Sequence, residues 1–283
     1  MSGAEALVGT AWLAEHLGEP DLRIVDATWY LPHLQRDARA EFAEAHVPGA
    51  VRFDIDAISD RTSPLPHMLP TPEDFARAVG ALGIGEGDRV VAYGGRNMIA
   101  SARAWWMFRV FGHDRVSVLD GGLPKWRAEG RATEAGTPAP AARRFTARLR
   151  HDLVRDLGQV RDNVTARGEQ VLDARSHGRF AGTEPELRPG LRGGHIPGSL
   201  NLPYDRLFPT PDGTLPSVEA LRQAFEGAGL DLRKPVSTTC GSGVSAAVLT
   251  FGLYLLGRAD VPVYDGSWTE WGGRADTPVE TGP

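Results

Sequence analysis

The stretch TTCGSGVSA at 238–246 holds the only cysteine of the chain, Cys240, followed by two glycines and two serines. A thiol becomes a nucleophile as its thiolate, and it needs positive charge or N–H donors nearby to ionise near neutrality. The sequence supplies such a setting. PVSTT before Cys240 reads as the end of an apolar strand, and SAAVLTFGLYLLG after it has helical apolar spacing. The thiol therefore begins a turn from the carboxyl end of a strand to the N-terminus of a helix. There the N–H groups of Gly241, Ser242, Gly243, Val244 and Ser245 can turn inward around sulfur, while the helix end adds about half a positive charge. Gly241 and Gly243 permit the close backbone approach, including a positive φ if one is required. Taken alone, a lone cysteine reads more often as a small buried hydrophobe. The polar, flexible neighbours and the strand-to-helix position favour chemistry.

The elements that hold this turn occur twice. IVDATWYL, with Asp26, answers VLDARSHG, with Asp173; HVPGAVRFDID from His46 answers HIPGSLNLPYD from His195; VLDGGLPKW answers VYDGSWTEW. Three pairs in one order at nearly constant offset indicate a duplication. Each half carries short apolar runs bounded by turn residues (RIVDA, DRVVAYG and VSVLDGG; QVLDA, KPVSTTC and VPVYDG), which read as buried strands. Between them, TPEDFARAVGALG opens with a Thr cap and an acidic first turn, and SVEALRQAFEGAG opens with Ser and closes in Gly. Alternation of this kind predicts an α/β fold, twice over, each copy a mostly parallel sheet flanked by helices. AEGRATEAGTPAPAARRFTARLRH, rich in Ala, Pro and Arg, reads as a linker. The expected domains are 1–140 and 153–283.

Composition excludes several classes. Hydrophobic residues at 41% allow a sizeable core, and a formal charge of −5 offers no basic field for nucleic acid or anionic lipid. The N-terminus lacks a basic region followed by an apolar run, and no stretch is apolar enough to span a membrane, so the expected location is cytoplasmic. One cysteine cannot close an internal disulfide or build a cysteine-rich metal site.

CGSGVSA, HIPGSLNLP, DGSWTEW and the duplicated plan resemble the rhodanese superfamily, and within it the tandem-domain 3-mercaptopyruvate sulfurtransferases, over essentially the whole chain. The resemblance implies two rhodanese-like domains, the first silent and the second carrying the nucleophile. In YGGRNMIASARAWW the place of Cys240 falls to a glycine near Gly94. It further implies that Arg179 and Arg188, in GRFAGTEPELRPG, bind the carboxylate and carbonyl of mercaptopyruvate, a task suited to a planar, permanently charged guanidinium. Ala181 departs from relatives that carry a polar residue there. FDIDAISDRTSPLPHMLP matches the stretch that donates an aspartate and a histidine, here Asp56 and His67, which with Ser242 would form a relay. His46 and His195, each before Pro-Gly, are assigned to structure. The implied partners are 3-mercaptopyruvate as sulfur donor and a thiol acceptor, thioredoxin or a small thiol, with cyanide able to replace it; no cofactor or metal is implied.

Three rivals stand beside this reading. Thiosulfate users carry basic residues after the cysteine, where Gly241 and Ser242 are neutral. A cysteine phosphatase needs an arginine six positions on, where Ala246 stands. A non-catalytic rhodanese-like module has no need of the cysteine and loop that this chain keeps.

Overall fold

The computed structural model describes residues 6–31, 34–95, 98–208 and 210–283. The chain divides into two compact units: Met1–Arg61, Pro70–Arg150 and Thr210–Leu215 form one, and Thr62–Leu69, His151–Pro209 and Pro216–Pro283 form the other.

The first unit is built on strands β1 (Leu7–Val8), β2 (Leu22–Asp26), β3 (Ala50–Arg52), β4 (Arg89–Tyr93) and β5 (Val116–Leu119). They lie in the order β1-β5-β4-β2-β3, every pair parallel. The second unit repeats the plan with β6 (Val154–Arg155), β7 (Gln170–Asp173), β8 (Leu200–Asn201), β9 (Val236–Thr239) and β10 (Val263–Tyr264), in the order β6-β10-β9-β7-β8, again all parallel. The six central strands expected from apolar runs are present. The four remaining strands, of two or three residues, are too short to show a pattern in sequence.

Helices form where their caps begin. Thr71 Oγ1 accepts from Asp74 N at 3.1 Å to start Pro72–Ala81, and Ser217 Oγ accepts from Ala220 N at 3.3 Å to start Val218–Gly227. The helix that follows Cys240, Ala246–Leu255, is buried on all sides but its last residue. An apolar sequence without a polar stripe demands such a place.

The stretch read as a linker has no regular structure from 137 to 150, yet it is fastened to the first unit. Phe145 packs edge-on against Phe75 and Phe108, Arg143 Nη1 donates to both oxygens of buried Asp88, and the N–H groups of Arg148 and Arg150 reach Phe111 O and Val110 O. One aromatic ring and irregular backbone pairing leave no periodic trace, which is why composition alone suggested a loose connection.

The duplicated motifs prove to be matching joints. His46 stacks on Phe42 with centroids 4.1 Å apart and its Nδ1 lies 2.8 Å from Phe42 O; His195 stacks on Phe180 at 3.8 Å with Nδ1 2.9 Å from Phe180 O. Each bridges antiparallel to a glutamate, Glu134 or Glu280, whose carboxylate accepts from Gly49 N or Gly198 N. Both histidines are buried structural residues, as expected.

Candidate active site

Cys240 follows β9 directly and is 1% exposed. The next residues coil toward Ala246: Gly243 takes φ +76, a left-handed value that favours glycine, and Ser245 is already in the right-handed helical region. Ala247 N and Val248 N close short three-residue turns onto Val244 O and Ser245 O, and the N–H groups ahead of them precede the first regular helical bond. Gly241, Ser242, Gly243, Val244 and Ser245 thus form one backbone cradle beside the thiol, none of the five carrying a charge or a bulky polar side chain.

The neighbouring strand holds that cradle in place, and here the structure adds residues the sequence reading did not assign. In the parallel ladder the carboxyl end of β10 lies beside that of β9, so DGSWT meets the loop. Ser267 Oγ accepts from Cys240 N at 3.3 Å and donates to Tyr264 O at 2.7 Å. Trp268 N donates to Cys240 O at 2.9 Å; Thr269 N and Oγ1 both donate to Gly241 O, at 2.8 and 2.6 Å. The recurrence of the DG motif in both halves was the available signal. The first-unit counterpart repeats the joint: Leu123 N donates to Gly94 O at 3.1 Å, as Trp268 N does to Cys240 O, so Gly94 occupies the place of the cysteine. Arg96 and Asn97 of that first-unit loop lie outside the described residues.

His67 and Ser242 meet. The segment Thr62–Leu69 belongs to the second unit, anchored by Leu69 N donating to Asp265 Oδ2 at 2.7 Å. His67 Nδ1 lies 3.0 Å from Ser242 Oγ, both residues 6% exposed. His67 takes φ +61, uncommon for a residue with a β-carbon; strain of this kind persists where surrounding contacts fix a side chain for use. Asp56 lies in the first unit, on the short helix Ile55–Ile58, and accepts from Trp29 Nε1 at 3.0 Å.

Arg179 reaches the loop. It stands on the short helix His177–Ala181, and a β-carbon on Gly241 would lie 3.1 Å from its Nη2. Glu186 Oε2 holds it, accepting from Nε at 3.0 Å and Nη2 at 2.6 Å. Glu186 Oε1 accepts from Arg175 Nη1 at 2.6 Å, and Arg175 is gripped by Asp173 and stacked over Trp268 at 4.2 Å. Burial alone would lower the Arg175 guanidinium pKa; the carboxylates of Asp173 and Glu186 outweigh it and hold the group above its ordinary value. Arg188 is half-buried in the irregular stretch after Glu186. Tyr204, not anticipated, feels this centre: burial raises its phenol above the usual range, the charges of Asp205 and Cys240 add to that, and Arg179 opposes it.

A buried thiol at the head of a parallel strand, a glycine-bearing turn into a helix, and a second copy of the sheet with glycine in the thiol's place define the class. Residues 9–129 and 156–274 each match the rhodanese-like domain, and the chain belongs to the rhodanese family. Its relatives are more particular. It is 47% identical over 276 residues to 3-mercaptopyruvate sulfurtransferase of Homo sapiens, covering 95% of this chain and 93% of that one, and 44% identical over 276 residues to thiosulfate sulfurtransferase of Gallus gallus, covering 95% and 94%. The crystal structure of SseA from Escherichia coli, described as a 3-mercaptopyruvate sulfotransferase, superposes with TM-score 0.85 at 40% identity over 93% of this chain and 98% of that one. Among the described residues no group of His, Cys, Asp or Glu is arranged to hold a metal ion, and no helix is long and apolar enough to cross a membrane.

Proposed function

We infer that the protein is a sulfurtransferase that takes sulfur from 3-mercaptopyruvate through a Cys240 persulfide and passes it to a thiol or to cyanide, releasing pyruvate. The observation that carries this reading is the uncharged loop around Cys240 lying under the Arg179 guanidinium: one fixed cation suits a monocarboxylate donor, and no basic side chain follows the cysteine to draw a dianion. Full-length relatives named for mercaptopyruvate support it.

In the first step the Cys240 thiolate attacks the donor sulfur. An S–S bond forms and the S–C bond breaks, its electron pair leaving as pyruvate enolate. The donor's thiol proton passes to the Ser242–His67 pair and returns to the enolate carbon, so charge and protons balance. Arg179 and Arg188 hold carboxylate and carbonyl in this scheme. Loop N–H groups and the helix end stabilise the charge on the outer sulfur. In the second step a small thiol, thioredoxin or cyanide attacks the outer sulfur and frees Cys240. We assign the catalytic domain to 153–283 with the segment bearing His67, the silent domain to 1–140, and the site of action to the cytoplasm, where a lone thiol stays reduced.

The Gallus gallus relative, named for thiosulfate, keeps that donor as the second reading. Pyruvate and thiocyanate formation measured side by side with both donors separates them: a higher kcat/KM for mercaptopyruvate is expected, and equal activity with thiosulfate would remove the donor assignment.

A further inference from the structure

Glu186 lies in no helix or strand, between the two arginines assigned to the donor, and its carboxylate is only 2% exposed. A carboxylate is buried to that degree only when its lone pairs are filled, and here two guanidinium groups fill them: Arg175 on Oε1, Arg179 on Oε2. Arg175 has no exposed side-chain surface and is locked further by Asp173, Gly194 O and Trp268, so it is the fixed end of the chain. Arg179, 15% exposed, is the end that faces the Cys240 loop. The four charges Asp173, Arg175, Glu186 and Arg179 sum to zero.

This arrangement has two chemical consequences. Glu186 engages Nε and Nη2 of Arg179, so the guanidinium is fixed in plane and only its remaining N–H groups are left for a ligand. The same carboxylate also neutralises much of the charge that Arg179 would otherwise turn toward the cradle. The first-unit counterpart shows how much this position is free to differ. Phe42 and Phe180 occupy matching places against His46 and His195, so the residue before each, Glu41 or Arg179, also corresponds. Glu41 there is bound by Arg36 and Tyr30, a pairing of opposite sense in the unit that has glycine at the thiol's place.

We propose that Glu186 is a positioning and donor-selecting residue: it aims Arg179 at a monocarboxylate donor and, by cancelling its charge, disfavours a dianion such as thiosulfate. This rests on Arg179 being a donor ligand as proposed above. Removing the negative charge leaves Arg175 and Arg179 with Asp173 as their only carboxylate in this chain of contacts, a net positive charge beside the thiol.

The test compares Glu186→Gln, Glu186→Asp, Arg179→Ala and the double variant Glu186→Gln/Arg179→Ala in the full-length protein. Glu186→Gln is expected to raise KM for mercaptopyruvate about tenfold, the loss of one charge-assisted hydrogen bond, with kcat changed far less, and to shift the kcat/KM ratio toward thiosulfate. That shift should shrink at high salt. Glu186→Asp keeps the charge on Arg175 but draws back from Arg179, so it should raise KM less and leave the donor ratio near wild type; it serves also if the Gln variant fails to fold. In the Arg179→Ala background Glu186→Gln should add little, because it acts through that side chain. Unchanged KM and donor ratio in folded Glu186 variants, or an equal effect with and without Arg179, would overturn the inference. An unchanged KM in Arg179→Ala itself would instead overturn the donor-site reading on which it stands.

Discussion

A methyl group on Gly241 tests the donor site with little else disturbed. Gly241 has no positive φ, so alanine is tolerated by the backbone, and the nearest atom its β-carbon would meet is Arg179 Nη2 at 3.1 Å. That contact is tighter than ordinary packing, and the guanidinium must retreat by a few tenths of an ångström. It cannot do so freely, because Nε and Nη2 are both engaged by buried Glu186. If the retreat weakens the donor's charged hydrogen bond by about half, the loss is ~1 kcal/mol, or roughly fivefold in KM for mercaptopyruvate. The proposed chemical step runs through Cys240 and Ser242, which the methyl group does not displace, so kcat should stay within about threefold. Stability should hold or rise by ~0.4 to 1 kcal/mol, since alanine loses less backbone entropy than glycine on folding. Steady-state kinetics with mercaptopyruvate and a thermal melt check both halves. In the Arg179→Ala background the methyl group has nothing to displace and should leave KM unchanged. A KM unaffected by Gly241→Ala in the wild-type background would show that the donor does not depend on where Arg179 stands.

Ser242→Ala should lower mercaptopyruvate turnover by about 10²-fold, the low end for positioned proton transfer, and cost ~0.5 to 1.5 kcal/mol of stability through loss of the buried bond to His67 Nδ1; kinetics and denaturant titration read the two effects. Gly94→Cys should fold, because a β-carbon there meets nothing closer than 3.8 Å, yet in a Cys240→Ser background it should take up no sulfur from mercaptopyruvate, since Glu41 stands where Arg179 does; intact mass decides. Arg143→Ala should destabilise the first unit by about 1 to 2 kcal/mol, discounted for the 42% exposure of the arginine, and a melt that does not move would mean the 143–150 stretch is only draped on it. Burial lowers the His113 pKa below its ordinary value, so its neutral form is the folded one. Its contribution to stability is therefore full above the unfolded pKa of about 6.5 and is lost as pH falls through the folded value; His113→Phe should flatten that part of the stability-pH curve.

What could be read from sequence was whatever left a local signature. Cys240 was legible because it is single and sits where an apolar strand gives way to a helical stretch, and Gly94 because the repeat supplied its partner. The central strands β2, β4, β5, β7, β9 and β10 announced themselves as apolar runs, whereas β1, β6 and β8 are two residues long and exist only through their ladders. Ser267 and Thr269 carry the loop by bonds across neighbouring strands, about thirty residues away in sequence, where no periodicity points. Glu186 was hidden differently. An acid between two arginines in a proline-bearing stretch reads as a solvated turn, and only burial reveals that one carboxylate joins two guanidinium groups. His67 and Ser242 were named through family resemblance; that they bond within one unit depends on a strap, Thr62–Leu69, whose docking to Asp265 no local pattern predicts.

The central claim is that Cys240 carries the transferred sulfur. Intact-mass measurement of the protein treated with mercaptopyruvate and then freed of excess donor tests it most directly. A single added sulfur atom is expected on the wild-type chain, removed by cyanide with stoichiometric thiocyanate, and none on Cys240→Ser. Sulfur on the serine variant, or turnover surviving in it, would contradict the account.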